Sequence, residues 1–94
     1  MLALELRLRF PQAQSLKEKR AMVNPIVDRL PRIGVSVSEV GDLEEHQLAT
    51  IGVVTVSGSA RQAEETIDAA ERLVWSRPDL EVLDAHRSWM EFDQ

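Results

Sequence analysis

Ser15 to Arg20 reads "SLKEKR" and places three cations, Lys17, Lys19 and Arg20, within six residues. Beside the first-turn amides of a helix, such a cluster could hold a phosphate or an acidic partner. The same stretch has the spacing of a capping box. The Ser15 hydroxyl would accept from the Glu18 N–H, and the Glu18 carboxylate would reach back to the Ser15 N–H. Cations in a first turn oppose the helix dipole, at about 0.3–1 kcal/mol each when exposed. Surface charge runs contribute little when solvated. The preferred reading is therefore a solubilising turn, with Lys19 and Arg20 reaching acidic residues such as Glu64 or Asp68 on a second helix. The sharper reading makes Lys17, Lys19 and Arg20 an anion- or partner-binding site.

Other residue types with chemical potential do not assemble into a known pattern. The two histidines are His46 and His86. Glu44, Glu45 and His46 are consecutive, and consecutive residues seldom converge on one ion, so no metal site is assigned. With no cysteine there is no thiolate ligand, cysteine nucleophile or disulfide framework. "SGS", Ser57 to Ser59, lacks the flanking glycines of a nucleophile elbow and reads as a turn followed by a helix cap. No Walker-type phosphate loop is present. No catalytic residue and no cofactor follow from these motifs.

The elements that must position these residues come from hydropathy periods. "LALELRLRF" alternates from Leu2 to Phe10, a strand with one buried face, and Pro11 ends it. Leu16, Val23, Ile26, Val27 and Leu30 fall on one helical face, continued by Ile33. Pro25 lies inside this helix and should kink it or restart it. "VSVSEV", Val35 to Val40, is a polar strand suited to a sheet edge. "GDLEEHQL", Gly41 to Leu48, is a hairpin loop, and "ATIGVVTVS", Ala49 to Ser57, is a central strand. Ser59 and Gln62 repeat the capping-box spacing. Ala63, Ile67, Ala70 and Val74 then step along a second helix, which "RPD", Arg77 to Asp79, stops. Leu80 to Phe92 is a last strand whose apolar parity slips after Val82, the mark of a bulge. The order β-α-β-β-α-β is an α+β ferredoxin-like arrangement, a four-stranded sheet with two helices on one face and the first and third strands central. Leu4, Leu6, Leu8, Val27, Leu30, Val53, Ile67 and Val74 should share its core.

That topology narrows the chemistry further. Acylphosphatases of this fold place an arginine between the first strand and the first helix, where "PQAQ", Pro11 to Gln14, has none. Stacking-type RNA recognition needs aromatics on the open sheet face. The central strands here offer Glu5, Arg7 and Arg9, with Gly52, Val54 and Val56. Small apolar residues framed by charge suit a protein interface better.

The 94 residues suffice for a single domain, 1–94, with a modest core. Net charge is −5, so neither DNA nor non-specific nucleic acid is an expected partner. The charge is uneven. Met1 to Ile33 holds seven Lys/Arg against three Asp/Glu, and the remainder four against thirteen. No apolar run approaches the ~20 residues of a membrane span, so no membrane partner is expected. The opening strand is broken by charge from Glu5 onward, unlike a secretory signal. The expected location is the cytoplasm.

The chain resembles the YlxP-like family of small bacterial proteins (domain of unknown function 503). The resemblance rests on "SLKEKR", on "DRL" (Asp28 to Leu30) and on "VSVSEV". It extends to "ATIGV" (Ala49 to Val53) and "PDLEVLD" (Pro78 to Asp84). It spans nearly the whole chain and implies the ferredoxin-like fold. Genes of the family often neighbour those for a translation initiation factor and a ribosome-maturation factor, so the resemblance also implies a link to translation. Pro25 and "EEHQL" (Glu44 to Leu48) depart from the family pattern.

The functional reading is a non-catalytic module that associates with itself or with a protein partner, most simply as a homodimer. A last strand of Leu80 to Phe92 would overhang the first by about four residues, about 13 Å. That would leave Trp89, Met90 and Phe92 to make the self-association contact. The alternatives are a weak RNA or ribosome binder using the basic first helix, and an enzyme with an unrecognised site.

Overall fold

The computed structural model describes residues 1–91. The elements follow in the order β1 (Leu2–Arg9), α1 (Leu16–Arg29), a 3-10 turn (Leu30–Ile33), β2 (Ser36–Gly41), β3 (Leu48–Thr55), α2 (Ala60–Trp75) and β4 (Glu81–Trp89). The strands form one sheet in the order β2-β3-β1-β4, antiparallel throughout. This is the α+β ferredoxin-like arrangement, with β1 and β3 central as their apolar content required.

Alternation in β1 turns Leu2, Leu4, Leu6 and Leu8 inward, each at most 1% exposed, and leaves Glu5, Arg7 and Arg9 outside. The register sets Leu4 beside Val53 and Leu6 beside Ile51, so the buried residues of both central strands share one side. The helices cover that side. Val23, Ile26 and Leu30 come down from α1 and the 3-10 turn, and Ala63, Ile67, Ala70 and Val74 from α2. Of the expected core, only Val27 lies at the margin, partly buried against the cluster. Burying each Leu, Ile or Val here contributes about 1.5–3 kcal/mol.

The helix starts show where local chemistry met its expectations. Ser15 Oγ accepts from the Glu18 N–H at 3.1 Å. The returning arm differs, because Glu18 Oε2 accepts from the Gln14 N–H at 3.0 Å, one residue earlier than the capping box requires. Ser59 Oγ accepts from the Gln62 N–H at 3.2 Å, and Ser57 Oγ accepts from the Ser59 N–H at 3.1 Å. The "SGS" turn is thus a double cap. Pro25 does not end α1, which runs on to Arg29. The missing proline N–H frees the carbonyl of Ala21, an exposed residue where water can take its place. Gly34 stops the following turn at φ 94°, a conformation that favours glycine.

The last strand corrects one expectation. The bulge is present: Arg7 pairs with Asp84, Leu8 pairs with Val82, and Leu83 is the extra residue. The strand is shorter than expected, however, ending at Trp89, and Trp89 and Met90 do not project past the start of the chain. Trp89 pairs with Leu2, and the Met90 N–H donates to the Met1 carbonyl at 2.8 Å. The bulge takes up one residue of the expected overhang, which sets Trp89 opposite Leu2 and Met90 opposite Met1. Phe92 lies outside the described residues.

Candidate functional site

The cluster at the start of α1 is divided by the fold. Lys17 and Arg20 are exposed, whereas Lys19 is 1% exposed. The three cations do not share a surface. Lys19 does not reach Glu64 or Asp68 either. Its ammonium lies 2.9 Å from Glu39 Oε2 on β2 and donates to the carbonyls of Asp42 at 2.8 Å and Leu48 at 3.0 Å. The two carbonyls take two of the three ammonium protons, and Glu39 is held at ion-pair distance. Asp68 instead accepts from Arg87 of β4 at 2.7 Å, and Glu71 accepts from the same guanidinium at 3.2 Å.

Glu39 Oε2 is buried and takes no hydrogen bond of regular geometry, so the adjacent ammonium charge is its compensation. Asp42 completes the arrangement. It has φ 59°, a left-handed conformation that Asp tolerates better than most residues. Its carboxylate accepts from Thr50 Oγ1 at 2.7 Å and lies 3.7 Å from the Arg7 guanidinium. Nearby, Gln47 Nε2 donates to the carbonyls of Pro11 and Ala13, at 3.2 and 3.3 Å. The β2–β3 loop is therefore clamped to both β1 and α1. The clamp's charges and hydrogen-bonding groups face one another, with Glu39 Oε2 held by charge alone, which is the chemistry of a structural tie.

Sequence reasoning missed this tie, although its signals were present. Lys19 stands three residues after Leu16, four before Val23 and seven before Ile26, on the apolar stripe of α1. Glu39 shares the parity of Val35 and Val37, the inward parity of β2. Two opposite charges on two inward faces are the pattern of a buried pair.

The face of the sheet away from the helices carries different chemistry. Glu5, Arg7 and Arg9 lie there, as expected, with Gly52 and Val54 between β1 and β2. Val40, on the outward parity of β2, is 56% exposed, and Val56 is 65% exposed. A shallow depression between Ala3, Gly52, Val54, His86, Ser88 and Met90 runs across this face toward β4. Among the described residues its lining holds no Phe, Tyr or Trp, and His86 is its single ring, short of the two or three stacking rings of RNA-binding sheets.

β4 stands apart from the other strands. It pairs with β1 along its length, yet only Val82 is even partly buried. Leu83 is 48% exposed, Trp89 51% and the neighbouring Met90 43%. Trp89 and Met90 thus form the exposed apolar end that the sequence suggested, though as part of the sheet and its immediate continuation. His86 faces the uncovered side beside Glu5. His46 is exposed in the β2–β3 loop. Among the described residues no group of three or more His, Asp or Glu is placed to hold a metal ion. No helix among them is long and apolar enough to cross a membrane.

Comparison with known proteins agrees with the motifs. Residues 1–87 match the model of a family described as protein of unknown function DUF503. The chain is also 33% identical over 78 residues to the uncharacterized protein YlxP of Bacillus subtilis (strain 168), covering 82% of this chain and 85% of that protein. With its β-α-β-β-α-β fold and these two matches, the chain belongs to the DUF503 family, the YlxP-like group that its motifs resemble.

Proposed function

We propose that this protein is a non-catalytic, cytoplasmic module that works by protein contact and associates with itself as a homodimer. The exposure of β4 on both faces carries the reading. A strand that holds Leu83 and Trp89 half in water leaves apolar surface uncovered, and small domains gain stability by covering such surface. The uncovered sheet face, with exposed Val40 and Val56 beside Gly52 and Val54, extends that surface. The chemistry-bearing side chains of the Lys19 clamp are occupied with one another, which supports a structural role for them over a catalytic one.

The process proposed for it is translation or ribosome maturation, the link that the resemblance implies through the gene neighbours of YlxP-like proteins. Molecular mass in solution, measured by sedimentation across a concentration series, tests the module reading, with a dimer expected at about 100 µM. A monomer throughout that range would sink it. Salt-sensitive cosedimentation with ribosomal subunits, lost on replacing Lys17 and Arg20, would instead favour the nucleic-acid alternative.

A further inference from the structure

The two edges of the sheet are β2 and β4. β2 is six residues long, is bulged between Glu39 and Gly41, and runs into the left-handed Asp42. Bulges of this kind blunt an edge against further pairing. β4 is bulged only at Leu83, and Asp84 to Trp89 continue in unbroken register with β1. Its free backbone groups can be assigned. Met1 and Met90 exchange both of their N–H···O bonds. In an antiparallel ladder such pairs recur every second residue. Ser88, His86 and Asp84 therefore aim their backbone groups at Ala3, Glu5 and Arg7. Ala85, Arg87 and Trp89 aim theirs outward, at the free edge.

We infer that this edge pairs antiparallel with β4 of a second copy about a twofold axis at His86. The inference rests on the self-association reading and names its surface. Paired residues share a face, so the twofold must pass through a residue opposite itself. Placing it at Asp84 or at Arg87 sets like charges against each other, which is destabilising. Placing it at Ala85 sets Arg87 against the bulged Leu83, and only one bonded pair then falls in regular backbone. At His86, Ala85 bonds with Arg87 of the second copy and Arg87 with its Ala85, all within the regular stretch. The charges are also compatible. Asp84 meets Ser88, and the two imidazoles meet on the uncovered face with a Glu5 beside each. Leu83 meets Trp89 of the second copy, so the half-exposed apolar residues of the strand cover one another.

The chain has no cysteine, so a single introduced thiol reports the register. Residues facing each other in a non-bonded pair have Cα atoms about 4.5 Å apart, within disulfide range. His86→Cys should cross-link to a covalent dimer under mild oxidation. Ala85→Cys, displaced by two residues from its own copy, should not. Ala85→Pro removes an outward N–H that the sheet does not use, so it should convert dimer to monomer while circular dichroism stays native. Those three results together support the inference. A wild-type monomer at about 100 µM would overturn it along with the self-association reading. A wild-type dimer that ignores Ala85→Pro and leaves His86→Cys uncross-linked would overturn the edge alone. Cross-linking through Ala85→Cys in place of His86→Cys would overturn the register.

Discussion

The ammonium of Lys19 and the carboxylate of Glu39 meet at 2.9 Å under α1, with side-chain exposures of 1% and 17%. A residue from the most cationic stretch of the chain is thereby spent on holding β2 to the first helix. Lys19→Met keeps the aliphatic stem but leaves Glu39 and the carbonyls of Asp42 and Leu48 without their donor. The variant should lose about 3 kcal/mol of unfolding free energy in a denaturant titration. Adding Glu39→Leu should recover part of that loss, because the stranded carboxylate goes with it. If Lys19→Met melts like the wild type, the tie is not structural.

Lys17 and Arg20 should behave in the opposite way. Both are exposed, and both sit near the positive end of the α1 dipole. Their joint replacement by Ala should change stability by less than about 0.5 kcal/mol, or raise it slightly. A clear drop in melting temperature would show that one of them has a partner of its own. The contrast with Lys19→Met separates the surface charges of this helix from its buried one.

Leu6 tests the core. It is fully buried at the centre of β1, opposite Ile51 on one side and Ala85 on the other. Leu6→Ala should cost about 2–5 kcal/mol, read by chemical denaturation. A cost under about half a kcal/mol would be incompatible with a well-packed site.

Asp79 tests the turn between α2 and β4. Hydrogen bonds from Arg77, at 3.2 and 3.1 Å, hold its carboxyl below the ordinary value of 3.8, against burial that pushes it up. A value lower in the folded chain than in the unfolded one means that the ionised form stabilises the fold. That contribution is present in full above the ordinary value and disappears as pH falls through the folded one. Asp79→Asn should therefore be less stable than wild type at pH 7, with the gap closing as pH falls below 4. A gap that stays constant down to pH 2 would assign the loss to packing.

Much of this molecule is local and is therefore legible in the chain. The alternation of Leu2 to Phe10, the four-and-three steps of Ala63 to Val74, and Ser15 and Ser59 three residues before Glu18 and Gln62 each act over one or two turns of backbone. Neighbouring residues are enough to specify them. The parity slip after Val82 announced the bulge for the same reason. The inward strand faces followed, because burying branched side chains is the largest favourable contribution to folding.

Tertiary structure alone decided how separate pieces met. Lys19 and Glu39 are twenty residues apart, and the period that turns each one inward does not name its partner. Only the packing of α1 over β2 removes water from both and makes them a pair. The fate of Trp89 was decided in the same way. Its register against Leu2 depends on where the bulge falls and where Arg77 and Asp79 release the chain, so the strand ends level with β1 and does not pass it. A period assigns a residue to a face. What that residue meets there depends on contacts distant in sequence, formed when the helices close over the sheet.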